Sequence, residues 1–145
     1  MMPGSVVQPG ARVHGTARFE DAQFDGRTWF NSAQFRGLAW FGSAQFRGNA
    51  WFDSVQFRGG AGFDSAQFRG LAWFGGAHFR GDALFVDAAF LANAAAEPVR
   101  FRTAQFFKLA DFSGCRFPNQ PARIQGAFET ARFLEEARFR TPELM

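Results

Sequence analysis

From Phe35 to Phe46 the chain reads Phe35-Arg36-Gly37-Leu38-Ala39-Trp40-Phe41-Gly42-Ser43-Ala44-Gln45-Phe46. The steps between phenylalanines are six residues and then five. The same alternation holds at Phe19, Phe24, Phe30, Phe35 and onward through Phe79, Phe85 and Phe90. Self-similarity at a fixed period is the signature of a repeat architecture. An 11-residue period also suits a right-handed coiled coil. That reading fails because every unit carries glycine, which costs about 1 kcal/mol in a helix interior.

Two residues before nearly every Phe stands a small residue, as at Ala33, Ala39, Ala44, Ala50, Val55 and Ala61. Small-x-Phe is a period of two, so the small residue and the ring share one face while the middle residue takes the other. Gly or Ser follows within a residue or two and permits a turn. The pattern therefore predicts very short strands joined by corners, which is how a solenoid coil is drawn.

These residues resemble the pentapeptide-repeat family, in which a small residue stands two before a central Leu or Phe. The resemblance runs from about Ala17 to Phe139. It implies an all-β fold, a right-handed quadrilateral β-helix with four pentapeptides per coil and the small and central residues inside. The departure is the six-residue step, where Leu38, Asn49, Gly60, Leu71 or Asp82 follows the glycine. We read that residue as a corner bulge. Two faces of five and two of six give a coil of about 22 residues, wide enough for Phe on every face. A flattened coil of 11 stays open, because the surface residues also repeat at 11.

Residues 1–15 form an irregular lead-in and 16–92 the regular β-helix. Residues 93–98, with no Phe and ending at Pro98, interrupt it as a loop or short helical excursion. Degenerate repeats and a C-terminal cap fill 99–139, broken at Pro118 and Pro121, and 140–145 are a tail. The stretch Ala127 to Arg140 fits either a coil or a capping helix. End coils expose strand edges, so an end-to-end homodimer through Phe128 to Phe139 is expected.

The composition bounds function. Phe occurs 22 times and Tyr never, and 16 basic residues against 13 acidic leave a net charge of +3. All basic residues but Lys108 are Arg. Met1 to Gly10 is broken by Pro3, Gly4, Pro9 and Gly10, with no apolar leader, and no run of 18 apolar residues follows. A cytoplasmic protein is expected, and the family resemblance implies a bacterial one.

Catalytic chemistry finds no foothold in the motifs. Cys115 takes a small-residue slot two before Phe117, where a buried thiol replaces Ala. His14 and His78 are distant and have no metal-ligand spacing with it. Asp53 and Asp64 recur at one point of successive units, where a polar corner residue is useful. No enzyme activity, cofactor, metal or small-molecule substrate is expected.

The outward positions are more informative. Trp29, Trp40, Trp51 and Trp73 recur at multiples of eleven, each just before a Phe. On a 22-residue coil Trp29, Trp51 and Trp73 form one column, and Trp40 lies on the opposite face with Gly62 and Leu84. Such a row either stiffens the sheet by stacking or meets a partner. Gln23, Gln45 and Gln67 make a second column, suited to an amide ladder. Arg36, Arg47, Arg58, Arg69 and Arg80 each follow a Phe. They serve solubility, or they form a basic ridge for an anionic partner.

The leading expectation is a non-catalytic scaffold or protein-interaction module, its partner unidentified. The alternative is electrostatic binding of nucleic acid or an anionic membrane surface through the Arg rows. The resemblance further implies a topoisomerase-binding mimic of duplex DNA. That activity needs an outward row of carboxylates, and the regular outward rows here hold Arg, Gln and Trp, so it ranks behind the other two.

Overall fold

Backbone pairing decides the length of the coil. The computed structural model describes residues 10–92, 99–117 and 127–139. In it Gln34 pairs with Gln56 and Phe35 with Phe57 in parallel, a spacing of 22 residues. The 11-residue neighbour of Gln34, Gln45, pairs instead with Gln67 in a different sheet. The wide coil is the one formed.

Among the described residues small-x-Phe alternation supplies twenty two-residue strands that build four parallel sheets, one per face of a right-handed quadrilateral β-helix. Face 1 stacks β1 (Arg12–Val13), β5 (Gln34–Phe35), β9 (Gln56–Phe57), β13 (His78–Phe79), β17 (Gln105–Phe106) and β19 (Arg132–Phe133). Face 2 stacks β2 (Ala17–Arg18), β6 (Ala39–Trp40), β10 (Ala61–Gly62), β14 (Ala83–Leu84), β18 (Ala110–Asp111) and β20 (Ala137–Arg138). Face 3 holds β3 (Gln23–Phe24), β7 (Gln45–Phe46), β11 (Gln67–Phe68) and β15 (Ala89–Phe90). Face 4 holds β4 (Thr28–Trp29), β8 (Ala50–Trp51), β12 (Ala72–Trp73) and β16 (Val99–Arg100). Pairing reaches back to Arg12, four residues ahead of where the repeat becomes regular in the sequence.

The interior is four ladders of rings, one per face. Every Phe except Phe107 stands in one of them. Rings within a ladder lie nearly parallel, with centroids from 4.7 Å (Phe52 to Phe74) to 5.2 Å (Phe90 to Phe117) apart. Rings of different ladders meet edge to face across the interior, as Phe52 and Phe63 do at 88°, and at the six-residue corners, as Phe57 and Phe63 do at 87°. At the five-residue corners they are tilted, Phe41 on Phe46 at 39°. The stacked and edge-to-face arrangements suit the ring quadrupole. The small residues, Ala33, Ala44, Ala66 and their kin, are fully buried between the ladders.

The two kinds of step make two kinds of corner. At five-residue steps the chain turns in four residues: Ala44 N–H donates to the Phe41 carbonyl at 3.1 Å, and Ser43 between them has φ of 57°. Ser32, Ser54, Ser65, Asp87 and Thr103 take the same left-handed conformation, which costs L-residues about 1–2 kcal/mol. Stacking offsets it, since the Ser43 N–H bonds the Asp64 carbonyl of the next coil at 2.8 Å.

At six-residue corners glycine is required by a close approach. A Cβ on Gly70 would lie 2.6 Å from the backbone of Gly48, one coil away. The residue after the glycine, the bulge expected from the sequence, supplies its carbonyl to the adjacent coil: Ala39 N–H bonds the Gly60 carbonyl, and Ala50 N–H that of Leu71.

Past Phe90 the spacing becomes 27 residues, as in Ala72 with Val99 and Gln105 with Arg132. Both lengthened coils take up their extra residues at one place, the corner between faces 3 and 4. The excursions themselves, 93–98 and 118–126, lie outside the described residues, as do the lead-in before Gly10 and the tail 140–145. The ring ladder resumes in register after each, Phe101 on Phe74 at 4.8 Å and Phe128 on Phe101 at 4.9 Å. The stretch that fitted either a coil or a helix contains β19 and β20, so from Ala131 to Phe139 it is coil.

Gly70→Ala is expected to lower stability by about 1–3 kcal/mol in guanidinium unfolding, because the new methyl meets backbone that cannot yield. Ser65→Gly is expected to leave stability unchanged or raise it by up to about 1 kcal/mol, since it relieves a left-handed residue. The opposite ranking would contradict the corner assignment.

Candidate interaction surface

The outward residues of two-residue strands form straight columns, because each strand pairs in register with the next coil. On face 4 the column is Trp29, Trp51, Trp73 and Arg100. Trp29 and Trp51 stack at 4.1 Å and 9°, and Trp51 meets Trp73 edge on at 6.1 Å and 77°. The Arg100 guanidinium lies over Trp73, 4.7 Å from the ring centroid. The result is a half-buried aromatic strip running along the rod and closed by a cation. Trp40 stands apart on face 2, in a column with Arg18, Gly62 and Leu84. The sequence separates the Trp residues in this way, but it gave no sign that Arg100 would continue the ladder, because the excursion hides their alignment.

The Arg residues divide between two diagonally opposite corners. Arg36, Arg58 and Arg80 align at the corner between faces 1 and 2, all exposed. Arg80 covers the outward ring of Phe107, the one Phe outside the ladders, at 5.0 Å. Arg36 and Arg58 have no ion pair among the described residues. Arg47 and Arg69 lie at the corner between faces 3 and 4. There Arg47 reaches Asp25 on the neighbouring coil at 3.5 Å, and Arg69 reaches Gln67 at 3.5 Å.

Carboxylates are most frequent at the other two corners, although Asp25, Asp82, Glu135 and Glu136 stand at the basic ones. Glu20, Asp21, Asp64 and Asp87 occupy the one between faces 2 and 3, and Asp53 and Glu129 the one between faces 4 and 1. Burial pushes the Asp64 carboxyl above the ordinary carboxylate range; the Val86 backbone pulls it back, and Asp111 and Asp87 add to the rise. Asp53, beside the Trp strip, is raised mainly by desolvation, against a backbone hydrogen bond and the charge of Arg100. This acidic segregation was missed in the sequence, where the residues fall at irregular intervals and align only once the coil length is known.

The remaining candidates are structural. Cys115 is buried, its thiol donating to the Phe85 carbonyl at 2.8 Å, and burial pushes its pKa up to about 12. A thiol held so fully protonated is a poor nucleophile. His78 stands on face 1 in the Gln34 and Gln56 column, edge on to Phe107 at 6.0 Å. Among the described residues no three His, Cys, Asp or Glu come together as a metal site, and no helix is long and apolar enough to cross a membrane.

A family model for pentapeptide repeats, nine copies, matches residues 9–56 and 41–89, more than half of the chain. The chain is a pentapeptide-repeat protein. No curated protein and no solved structure matches it. As a pentapeptide-repeat protein it is, in general terms, a repeat scaffold or interaction module.

The raised Asp53 carboxyl yields a signed pH dependence. A carboxyl whose folded pKa exceeds its unfolded value of about 3.8 adds stability while protonated and loses it as pH rises through the folded pKa. The melting temperature of Asp53→Asn minus that of the parent is therefore expected to become more positive between about pH 4 and pH 7. A difference that stays flat with pH, or falls, would refute the desolvated assignment.

Proposed function

We propose that this pentapeptide-repeat rod is a non-catalytic scaffold that docks a partner protein on the Trp strip of face 4. The observation that carries the reading is the unbroken column Trp29-Trp51-Trp73-Arg100, half-buried along a straight sheet. Trp and Arg are the residue types most enriched at binding hot spots, and a ladder that already holds their rotamers loses little entropy on docking. The end of the rod supports self-association as well. Phe139 and Leu134 are exposed on the last described coil, and β19 and β20 offer strand edges there. An end-to-end homodimer through Phe128 to Phe139 follows, and light scattering that found a concentration-independent monomer would remove it.

A second reading draws on the ridge of Arg36, Arg58 and Arg80, whose side chains stand one above another at a single corner. Three guanidiniums in line on successive coils suit an anionic partner, either nucleic acid or a negatively charged membrane. The two readings separate in one experiment. Partner capture is measured at rising salt for the parent, for Trp29, Trp51 and Trp73 changed together to Gln, and for Arg36, Arg58 and Arg80 changed together to Gln. The Trp set is expected to weaken capture at least about tenfold with little change in salt response. The Arg set is expected to leave capture intact. Capture that survives the Trp change and vanishes with the Arg change, its salt slope falling by about one unit per phosphate contact, would put the electrostatic reading first.

A further inference from the structure

Face 2 carries a second aromatic feature, built differently from the strip on face 4. A Cβ placed on Gly62 would lie 2.6 Å from Cε3 and 2.8 Å from Cζ3 of Trp40. The six-membered ring of the indole therefore occupies the position of the missing side chain, pressed against the backbone of the next coil. At the adjoining corner the column reads Glu20, Gly42, Asp64, so a second missing side chain lies between two carboxylates. Together these five residues line a shallow, open recess of about 200 Å³.

Three observations define what fits. The recess is smaller than the roughly 300–1,000 Å³ of ordinary small-molecule pockets, and suits one side chain. Its wall combines an indole with negative charge. Glu20 is paired with Arg18 at 3.2 Å, whereas Asp64 has no ion pair among the described residues, and Asp87 and Asp111 deepen the field around it. On face 4 the chain lays its own Arg100 over Trp73 from the adjacent coil. On face 2 the residues that follow Trp40 in its column are Gly62 and Leu84, and among the described residues no cation of the chain lies over the Trp40 ring. A guanidinium stacks on an aromatic face and forks onto a carboxylate at once, which an ammonium does less well.

We propose that this recess receives the arginine side chain of a partner protein, its guanidinium lying against Trp40 and bonded to Asp64. The site is separate from the face 4 strip and does not rest on it. Capped arginine (N-acetyl-arginine methylamide) titrated into the full chain is expected to shift the Trp40 indole N–H resonance saturably in the low-millimolar range, with the resonance assigned through Trp40→Leu. The neutral isostere, N-acetyl-citrulline methylamide, is expected to bind at least about fivefold more weakly to the unaltered protein. Asp64→Asn is expected to weaken the arginine probe by a similar factor. Gly62→Ala, whose methyl displaces the indole, is expected to abolish the shift with the far-ultraviolet circular dichroism unchanged. Trp51→Leu on face 4 is expected to change nothing. Equal binding of the citrulline and arginine probes would overturn the proposal without reference to any variant, and so would undiminished heat of arginine-probe binding to Trp40→Leu in titration calorimetry. Tighter binding of free arginine than of the capped form would overturn its assignment to a protein side chain.

Discussion

The constraint on which this rod depends is axial: each coil must lie one strand spacing from the next on all four sides at once. Parallel backbone pairing sets that spacing, and the phenylalanine ladders inside repeat at nearly the same distance, 4.8 Å between Phe63 and Phe85. Ring thickness and strand spacing agree closely enough that neither need yield. The glycines at the six-residue corners answer to the same requirement, since a methyl at Gly48 or Gly70 would hold two coils apart at one edge. The left-handed serines answer to it from the other side. They accept an unfavourable backbone conformation because the next coil bonds their N–H groups.

Corner geometry also sorts charge. Six-residue corners carry Arg beside glycine, and five-residue corners carry most of the carboxylates of the central coils. Basic and acidic edges thus alternate around the rod, and a molecule of net charge +3 has a far stronger local pattern than its total suggests. Ion pairs run along the axis between coils, as with Arg47 and Asp25 or Arg102 and Glu129, as well as within a strand end, as with Arg138 and Glu136 at 2.6 Å. Where an opposite charge does enter an edge, as Asp25 does below Arg47 and Arg102 does below Glu129, it pairs along the axis with the coil beside it.

How much of this could be read beforehand depends on the range of the interaction involved. Inward and outward assignment was legible because it is local: Gln56 and Phe57 differ in direction by virtue of adjacency in a strand. The coil length was legible only as a preference, since Gln34, Gln45 and Gln56 look alike at either period and only pairing tells them apart. The setting of Trp40 on Gly62 was not legible. It joins residues 22 apart, and Gly62 in isolation reads as a lapse in the Trp pattern. The alignment of Arg100 with Trp73 was hidden for another reason, because the sequence spacing changes there from 22 to 27 residues while the spatial column continues. Repeats past Pro98 looked degenerate on the page for the same cause.

The two lengthened coils have a consequence for how such a rod can change over time. Both admit extra chain at the same corner, and in both the ladder beyond is undisturbed. A corner that leaves one strand and rejoins the next at fixed positions works as a socket, because the cost of closing a longer loop there grows only with the logarithm of its length. The described strands on either side of that edge keep the same ring stacking in both lengthened coils. The rod can therefore acquire new surface chemistry at a fixed address without redesigning its interior, much as a rail accepts fittings at regular notches.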